Sequence, residues 1–256
     1  MLGRRAMSQH QKEDHVLAER IQEAYHANRD VYGSPRLHAE LRTQGIRCSR
    51  KRVARLMREQ SLSACRRRHR TKTTQSEPTA RVAPNLLNQD FSAASRPNEK
   101  WTGDSTGVWT YEGWLYLAVV LDLFSRRVVG WAMASSQDET LIETAFHMAR
   151  LARCPETGGI FHSDRGSQYT SDAYRAVLAA ADVMVSMSRT GNCYDNAVTE
   201  SFFGTLKSEC VERTSFQTRQ QAKQTIFEFM ECFYNRVRRQ SSLGYVSPVA
   251  YEQMMC

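Results

Sequence analysis

Between Trp101 and Ala134 the chain carries three strand patterns in a row, joined by connections too short to hold a helix. The first ends at Trp109-Thr110, before the turn residues Tyr111-Glu112-Gly113; the second, Trp114 to Leu123, is strongly apolar. After Phe124-Ser125-Arg126 a third runs from Arg127 to Ala134, and this spacing predicts an antiparallel meander. Helix and strand then alternate. Glu139 to Arg153 sets Leu141, Ile142, Ala145, Met148 and Ala149 at helical spacing, and Gly159 to His162 reads as a short buried strand. A helix over Asp172 to Ala181 and a strand over Val183 to Met187 follow, with a last helix after the Thr190-Gly191-Asn192 loop. Such alternation implies parallel additions through right-handed crossovers. The order β-β-β-α-β-α-β-α predicts an α/β chain, a mixed sheet covered by helices.

The preceding residues read differently. Asp14 to Asn28 carries Val16, Leu17, Ile21, Ala24 and Tyr25 at helical spacing. Ser34 is the expected N-cap of a second helix, with Pro35 at its first position, running through Leu37 and Leu41 to Gln44 and ended by Gly45. Ser49 caps a third helix, Arg50 to Gln60, whose Val53, Leu56 and Met57 lie on one side while Arg50, Lys51, Arg52, Arg55 and Arg58 crowd the rest. Two short helices joined through a glycine turn, the second densely basic, suit a helix-turn-helix that reads DNA. The plainer alternative is a helical bundle with a solvated basic face. Charge favours the first reading. Residues 1–100 hold 21 Lys/Arg against 10 Asp/Glu, residues 101–256 hold 14 against 17, and the run Arg66-Arg67-Arg68-His69-Arg70-Thr71-Lys72 has five cations in seven residues. Residues 73–97 lack periodicity and read as a linker. No run of 18 apolar residues occurs, which speaks against a membrane span. The seven cysteines are scattered without a Cys-x-x-Cys pair, which suits a reducing cytosol and speaks against a zinc module.

Three acids fall at suggestive places: Asp104 in the first strand, Asp164 directly after the fourth, and Glu200 near the start of the last helix. In a mixed sheet of this order the first and fourth strands lie side by side, so Asp104 and Asp164 can face one gap and Glu200 can close it. Clustered carboxylates repel unless a cation or protons neutralise them, and hard Mg²⁺ prefers carboxylate and water. Lys207, two helical turns after Glu200, shares its face and can set a cation on a phosphate. Taken singly each has an ordinary reading: Asp164 as a turn or cap residue, Glu200 as a first-turn acid, Lys207 as an exposed lysine. Asp122, Asp138, Asp172 and Asp195 read as surface charges or caps, His162 as a core histidine, and Ser163, Ser167 and Tyr169 as loop or DNA-contact residues.

The segments Trp101 to Asp104, His162 to Tyr169 and Asn192 to Lys207 together resemble the DDE transposases of bacterial insertion sequences, which share the retroviral integrase catalytic core. The 35 residues between Asp164 and Glu200 equal that family's second spacing. Tyr32 to Arg36 with the basic helix, Leu121 to Arg126, and Tyr234-Asn235 to Ser247-Pro248 resemble further family segments, so the likeness covers nearly the whole chain. It implies an RNase H-like five-stranded mixed sheet flanked by helices (residues 98–215), after a helix-turn-helix domain (1–72) and linker (73–97), and before a C-terminal helical extension (216–256). Asp104, Asp164 and Glu200 are then the catalytic metal ligands, for Mg²⁺ or Mn²⁺ and for two ions, with Lys207 as a catalytic and DNA-binding cation. Arg50, Lys51, Arg52, Arg55, Arg66, Arg67 and Arg68 are the expected DNA contacts. The resemblance also implies double-stranded DNA as partner (element ends and target), a homo-oligomer on DNA, fusion with or help from an upstream-frame DNA-binding protein, and a cytoplasmic, nucleoid-associated location. The reaction would be metal-dependent strand cleavage followed by strand transfer. Alternatives are a non-catalytic DNA binder, including a decayed transposase, and an RNase H-like nuclease that cuts without joining. In two respects the chain departs from the pattern: Ser105-Thr106-Gly107 is poor strand material, and Gly107 is expected to weaken packing beside Asp104; and there is no His/Cys zinc module of the retroviral integrase kind, so the helical N-terminal part is expected to stand in for it.

Overall fold

The computed structural model describes residues 8–65, 83–87, 94–189 and 196–255. The chain divides into two compact units, residues 1–67 and 68–256.

The first unit is three helices. Helix α1 (Gln9–Ala27) starts five residues before the expected Asp14, because a polar device sets its start: Ser8 Oγ accepts from Gln11 N–H, and the Gln11 side chain accepts from Ser8 N–H. Helix α2 (Ser34–Thr43) is preceded by Gly33 as its N-cap, so Ser34 is already helical and Pro35 stands second. No side chain caps this helix, and the sequence therefore holds no cap signal to locate its first residue. Helix α3 (Arg50–Glu59) is capped as expected by Ser49 Oγ, which accepts from Arg52 N–H at 3.2 Å. Leu17, Ile21, Tyr32, Leu37, Leu41, Val53, Leu56 and Met57 form the buried centre. Each such side chain contributes about 1.5–3 kcal/mol by leaving water.

The second unit is built on a five-stranded sheet in the order β3-β2-β1-β4-β5. Strands β1 (Lys100–Thr110), β2 (Gly113–Asp122) and β3 (Val128–Ala134) form the antiparallel meander. Helix α4 (Glu139–Arg153), begun by Asp138 accepting from Leu141 N–H, crosses to β4 (Ile160–Ser163), which pairs parallel with β1. The short α5 (Ser167–Thr170) and α6 (Asp172–Ala180) lead to β5 (Met184–Met187), parallel to β4. Leu141, Ile142, Ala145, Phe146 and Ala149 of α4 cover one sheet face, meeting Trp101, Ala118, Val120 and Phe161.

Gly107 does not interrupt β1. A Cβ there would lie 3.0 Å from Trp114 Cε3, so the ring packs over the glycine and fills the space that a side chain would take. The expected weakness is answered by a cross-strand aromatic. Asp122 likewise departs from expectation. It is fully buried, and its carboxylate accepts from Phe124 N–H and Ser125 N–H at 2.9 Å and from Asn98 N–H at 2.6 Å, organising the β2–β3 turn.

Helices α7 (Ala197–Glu209), α8 (Arg219–Phe227) and α9 (Pro248–Met255) complete the unit. Helix α8 passes into a wider, π-type turn over Glu228–Tyr234 that buries Phe229, Met230, Phe233 and Tyr234. Polar side chains tie this part to the sheet. Asn235 both accepts from Val128 N–H (2.9 Å) and donates to Val128 C=O (3.0 Å), and Glu252 accepts from Ser125, Arg127 and Arg153 at 2.8 Å. Among the described residues no helix is long and apolar enough to cross a membrane.

Candidate active site

The register of β1 on β4 pairs Thr102 with His162 and Gly103 with Ser163. Asp104 and Asp164 are the next residues after that last pair, so the two acids leave neighbouring backbones, about 4.8 Å apart in a ladder, and Asp104 feels the charge of Asp164. On the other face of β1, toward α4, a Cβ at Gly103 would lie 2.5 Å from Phe161 Cζ, so the glycine makes room for that ring in the core.

Residues Thr102 and Asp104 share the face of β1 on which α7 begins. Thr102 Oγ1 lies 3.2 Å from Asn196 Oδ1 and 3.0 Å from Thr199 Oγ1, and both partners are buried at the helix start. Glu200 follows Thr199 on the solvent side of the first turn, and Lys207 is half-buried two turns later. Asp104 Oδ1 accepts from Ser105 N–H at 2.7 Å and its Oδ2 from Asn196 Nδ2 at 3.2 Å; Asp164 Oδ1 accepts from Gly166 N–H at 2.9 Å.

The electrostatics of the cluster follow from its composition. Burial, then the charge of Asp164, push the Asp104 carboxyl up to about 8; Glu200 adds to the rise and Lys207 opposes it. Burial also raises Asp164, against the Gly166 N–H. Asp104 thus senses all three other charged groups. Among the described residues no three His, Cys, Asp or Glu side chains already stand in ion-holding geometry. The donor set nevertheless fits a hard divalent cation, since it consists of oxygen donors whose mutual repulsion such an ion would relieve.

This proton affinity has a measurable sign. The folded chain holds the Asp104 proton to about pH 8, whereas an unperturbed carboxyl releases it near 3.8, so stability falls as pH rises through that window. Asp122, also raised by burial, adds to the slope. Without divalent cations, the Tm is expected to fall from about pH 5 to about pH 9, and Asp104→Asn to flatten the fall. An unchanged slope in that variant would contradict the electrostatic account.

The other residues singled out in the sequence divide into groups. Arg50 and Lys51 are exposed on α3. Arg52 and Arg55 turn instead to Asp14 of α1, Arg52 Nε at 2.6 Å, so they tie α3 to α1. Arg66, Arg67 and Arg68 lie outside the described residues, as do the Thr190-Gly191-Asn192 loop and Asp195. His162 is a core residue, its ring nitrogens 2.8 Å from Ser186 Oγ and 3.1 Å from Ser188 Oγ. Ser163 Oγ donates to Asp164 C=O at 3.1 Å. Burial, and then the charges of Asp104 and Asp164, hold the Tyr169 hydroxyl protonated, which removes the phenolate that a tyrosine nucleophile needs. Sequence reading missed Asn196, Thr102 and Thr199, and also the rim where Gln137 Nε2 donates to Ser105 Oγ and Gln168 Nε2 to Gln137 C=O. Asn196 lies inside a motif segment, but its partner Asp104 is 92 residues away, and nothing local announces the pair.

This mixed five-stranded sheet with flanking helices, with Asp104 on β1, Asp164 directly after β4 and Glu200 on α7, is the architecture of an integrase-type polynucleotidyl transferase core. Residues 94–193 match the integrase core domain family, residues 200–255 a second family of the same description, and residues 11–71 the HTH-like domain. The chain is 41% identical to the transposase for insertion sequence element IS904 of Lactococcus lactis subsp. lactis (strain IL1403), over 97% of this chain and 98% of that protein. It is 44% identical to transposase InsF for insertion sequence IS3A of Escherichia coli (strain K12), over 90% and 79% respectively. In fold it is similar to a chain of the simian T-cell lymphotropic virus intasome in complex with PP2A regulatory subunit B56 gamma, with a TM-score of 0.53 at 14% identity, covering 84% of this chain and 69% of that one. The chain belongs to the insertion-sequence transposases that carry an integrase core domain.

Proposed function

We propose that this chain catalyses the cleavage and joining of DNA strands by which an insertion sequence moves, with Asp104, Asp164 and Glu200 as the carboxylates that hold Mg²⁺ or Mn²⁺. The observation that carries this reading is the neighbouring placement of Asp104 on β1 and Asp164 directly after β4, with the charges of Asp164, Glu200 and Lys207 felt at Asp104. Bound there, one or two such ions would activate the attacking oxygen and stabilise charge on the phosphorus and leaving oxygen. Asp104 comes from the sheet, Asp164 from the residue directly after β4 and Glu200 from a helix docked on β1, so the three acids are drawn from elements that pack together. Lys207, on the same helix, supplies a cation for a DNA phosphate. The half-buried positions of Asp104 and Asp164 limit competing water while leaving the cluster open to a backbone phosphate.

The basic N-terminal unit suits the grip on double-stranded DNA, at element ends and at the target, and its exposed Arg50 and Lys51 are the contacts we assign on α3. Holding two ends at once calls for a multimer on DNA, and such work places the protein at the nucleoid. Assistance from an upstream-frame DNA-binding protein is compatible with this scheme. Replacing Arg50 and Lys51 together by Ala is expected to weaken binding and lower the slope of log affinity against log salt by about 2, near 0.9 for each phosphate no longer neutralised. The Arg52/Arg55 double change should instead lower thermal stability, since it strands Asp14. Salt-dependent binding and thermal unfolding separate the two; an unchanged slope in the first variant would refute the α3 assignment.

The decisive assay offers DNA bearing the element's terminal repeats with Mg²⁺ or Mn²⁺, and again with chelator. Cation-dependent joined products support the transposase reading, products cut but never joined support a nuclease, and binding without cleavage supports a DNA binder.

A further inference from the structure

Asn196 is more than nine-tenths buried and stands as the N-cap of α7, yet its side chain makes no capping bond to the helix backbone. An N-cap asparagine ordinarily accepts from the N–H two or three residues on. Here its Oδ1 accepts from Thr199 Oγ1 at 2.9 Å and from Thr102 Oγ1 at 3.2 Å, while its Nδ2 donates to Asp104 Oδ2 at 3.2 Å. The assignment of oxygen and nitrogen follows from chemistry. In the ionised form that would bind a cation Asp104 only accepts, so the amide presents its N–H₂ to Asp104 and its oxygen to the two hydroxyls.

We infer that Asn196 is a positioning residue of the catalytic centre, orienting the Asp104 carboxylate and tying it to the helix that brings Glu200. The inference rests on the reading of Asp104 as a metal ligand. Two donors fix the carboxylate plane, Ser105 N–H on Oδ1 and Asn196 on Oδ2. Each oxygen keeps lone-pair capacity for an ion, now in a set direction. The same side chain fixes the entry of α7, so Asp104 on β1 and Glu200 four residues after Asn196 move as one body. The residue type is dictated by this double duty. An aspartate would set a like charge against Asp104, and an alanine would leave both hydroxyls and Oδ2 without this partner. Outer contacts of this kind to metal-binding side chains typically govern metal affinity by about 10–100-fold.

The test uses the full chain without DNA and follows Mn²⁺-dependent thermal stabilisation, with the Tm in chelator as the measure of the fold itself. Wild type should be stabilised by Mn²⁺, Asp104→Asn should lose that response, and Asn196→Ala should need at least about 10-fold more Mn²⁺ for half the effect. Thr199→Val keeps the amide but removes one of its anchors, and should shift the midpoint the same way, by about threefold or more if half of the alanine effect (on a logarithmic scale) runs through this hydroxyl. It decides the matter if Asn196→Ala fails to unfold cooperatively in chelator. A wild-type midpoint in Asn196→Ala, or in Thr199→Val where that variant decides, overturns the role of Asn196 while leaving the metal reading intact. A wild-type protein that Mn²⁺ does not stabilise overturns the metal reading itself, and this inference with it.

Discussion

Asp164→Asn and Glu200→Gln are each expected to abolish strand cleavage and joining while leaving DNA affinity within about twofold of wild type. The loss should exceed about 10²-fold, because an outer contact to a metal ligand already governs up to that much, and under the proposed function each change removes a ligand's charge itself. Both substitutions preserve shape. In Asp164→Asn the amide oxygen can still accept from Gly166 N–H, and residue 200 lies on the solvent side of α7, so neither change disturbs the core. Asp104→Asn is the harsher variant: both of its oxygens accept hydrogen bonds, and an amide can replace only one of them. Gel analysis of DNA products beside a binding measurement checks the claim. Cleavage at the wild-type rate in either of the first two variants would remove that residue from the centre.

Glu209→Gln is expected to destabilise the catalytic unit by about 3–5 kcal/mol, the cost of leaving a buried cation without its counter-charge. The pair is enclosed. Arg238 Nε and Nη2 each donate to a Glu209 oxygen at 2.6 Å, and the two side chains are 3% and 7% exposed. In a unit of this size the Tm should fall by about 6–20 °C. Glu209 is the last residue of α7, so the ion pair fastens the far end of the helix that carries Glu200 and Lys207. Replacing both partners with apolar residues of similar volume should cost less than the single change, because no buried charge is then stranded. Thermal unfolding of the three variants tests this; a Glu209→Gln protein as stable as wild type would mean that Arg238 finds another counter-charge or water.

Much of this was legible in the chain before any fold was known. Helix α4 was bounded to the residue because Asp138 and the apolar spacing over Glu139–Arg153 are both local signals. The meander was legible from its turn residues, and the neighbourhood of β1 and β4 from strand order alone. Starts of helices without side-chain caps were not legible, as α2 shows; the Ser8-x-x-Gln11 capping box that begins α1 is a local signal, which the start expected at Asp14 passed over because the apolar stripe begins later. The cations of α3 looked alike in sequence, yet two of them turn to Asp14, an acid on another helix.

By itself the sequence determined the element types and the mixed sheet, and singled out Asp104, Asp164, Glu200 and Lys207 as candidates, because periodicity, turn chemistry and motif spacing are properties of neighbours along the chain. Only the tertiary structure decided which groups hold those acids in place. The Asn196 amide between two threonines and Asp104, and the buried Glu209–Arg238 pair at the far end of α7, join residues far apart in the chain. Such contacts leave no local signature, since a hydrogen bond or an ion pair depends on distance in space and burial, both of which exist only once the sheet and helices have packed.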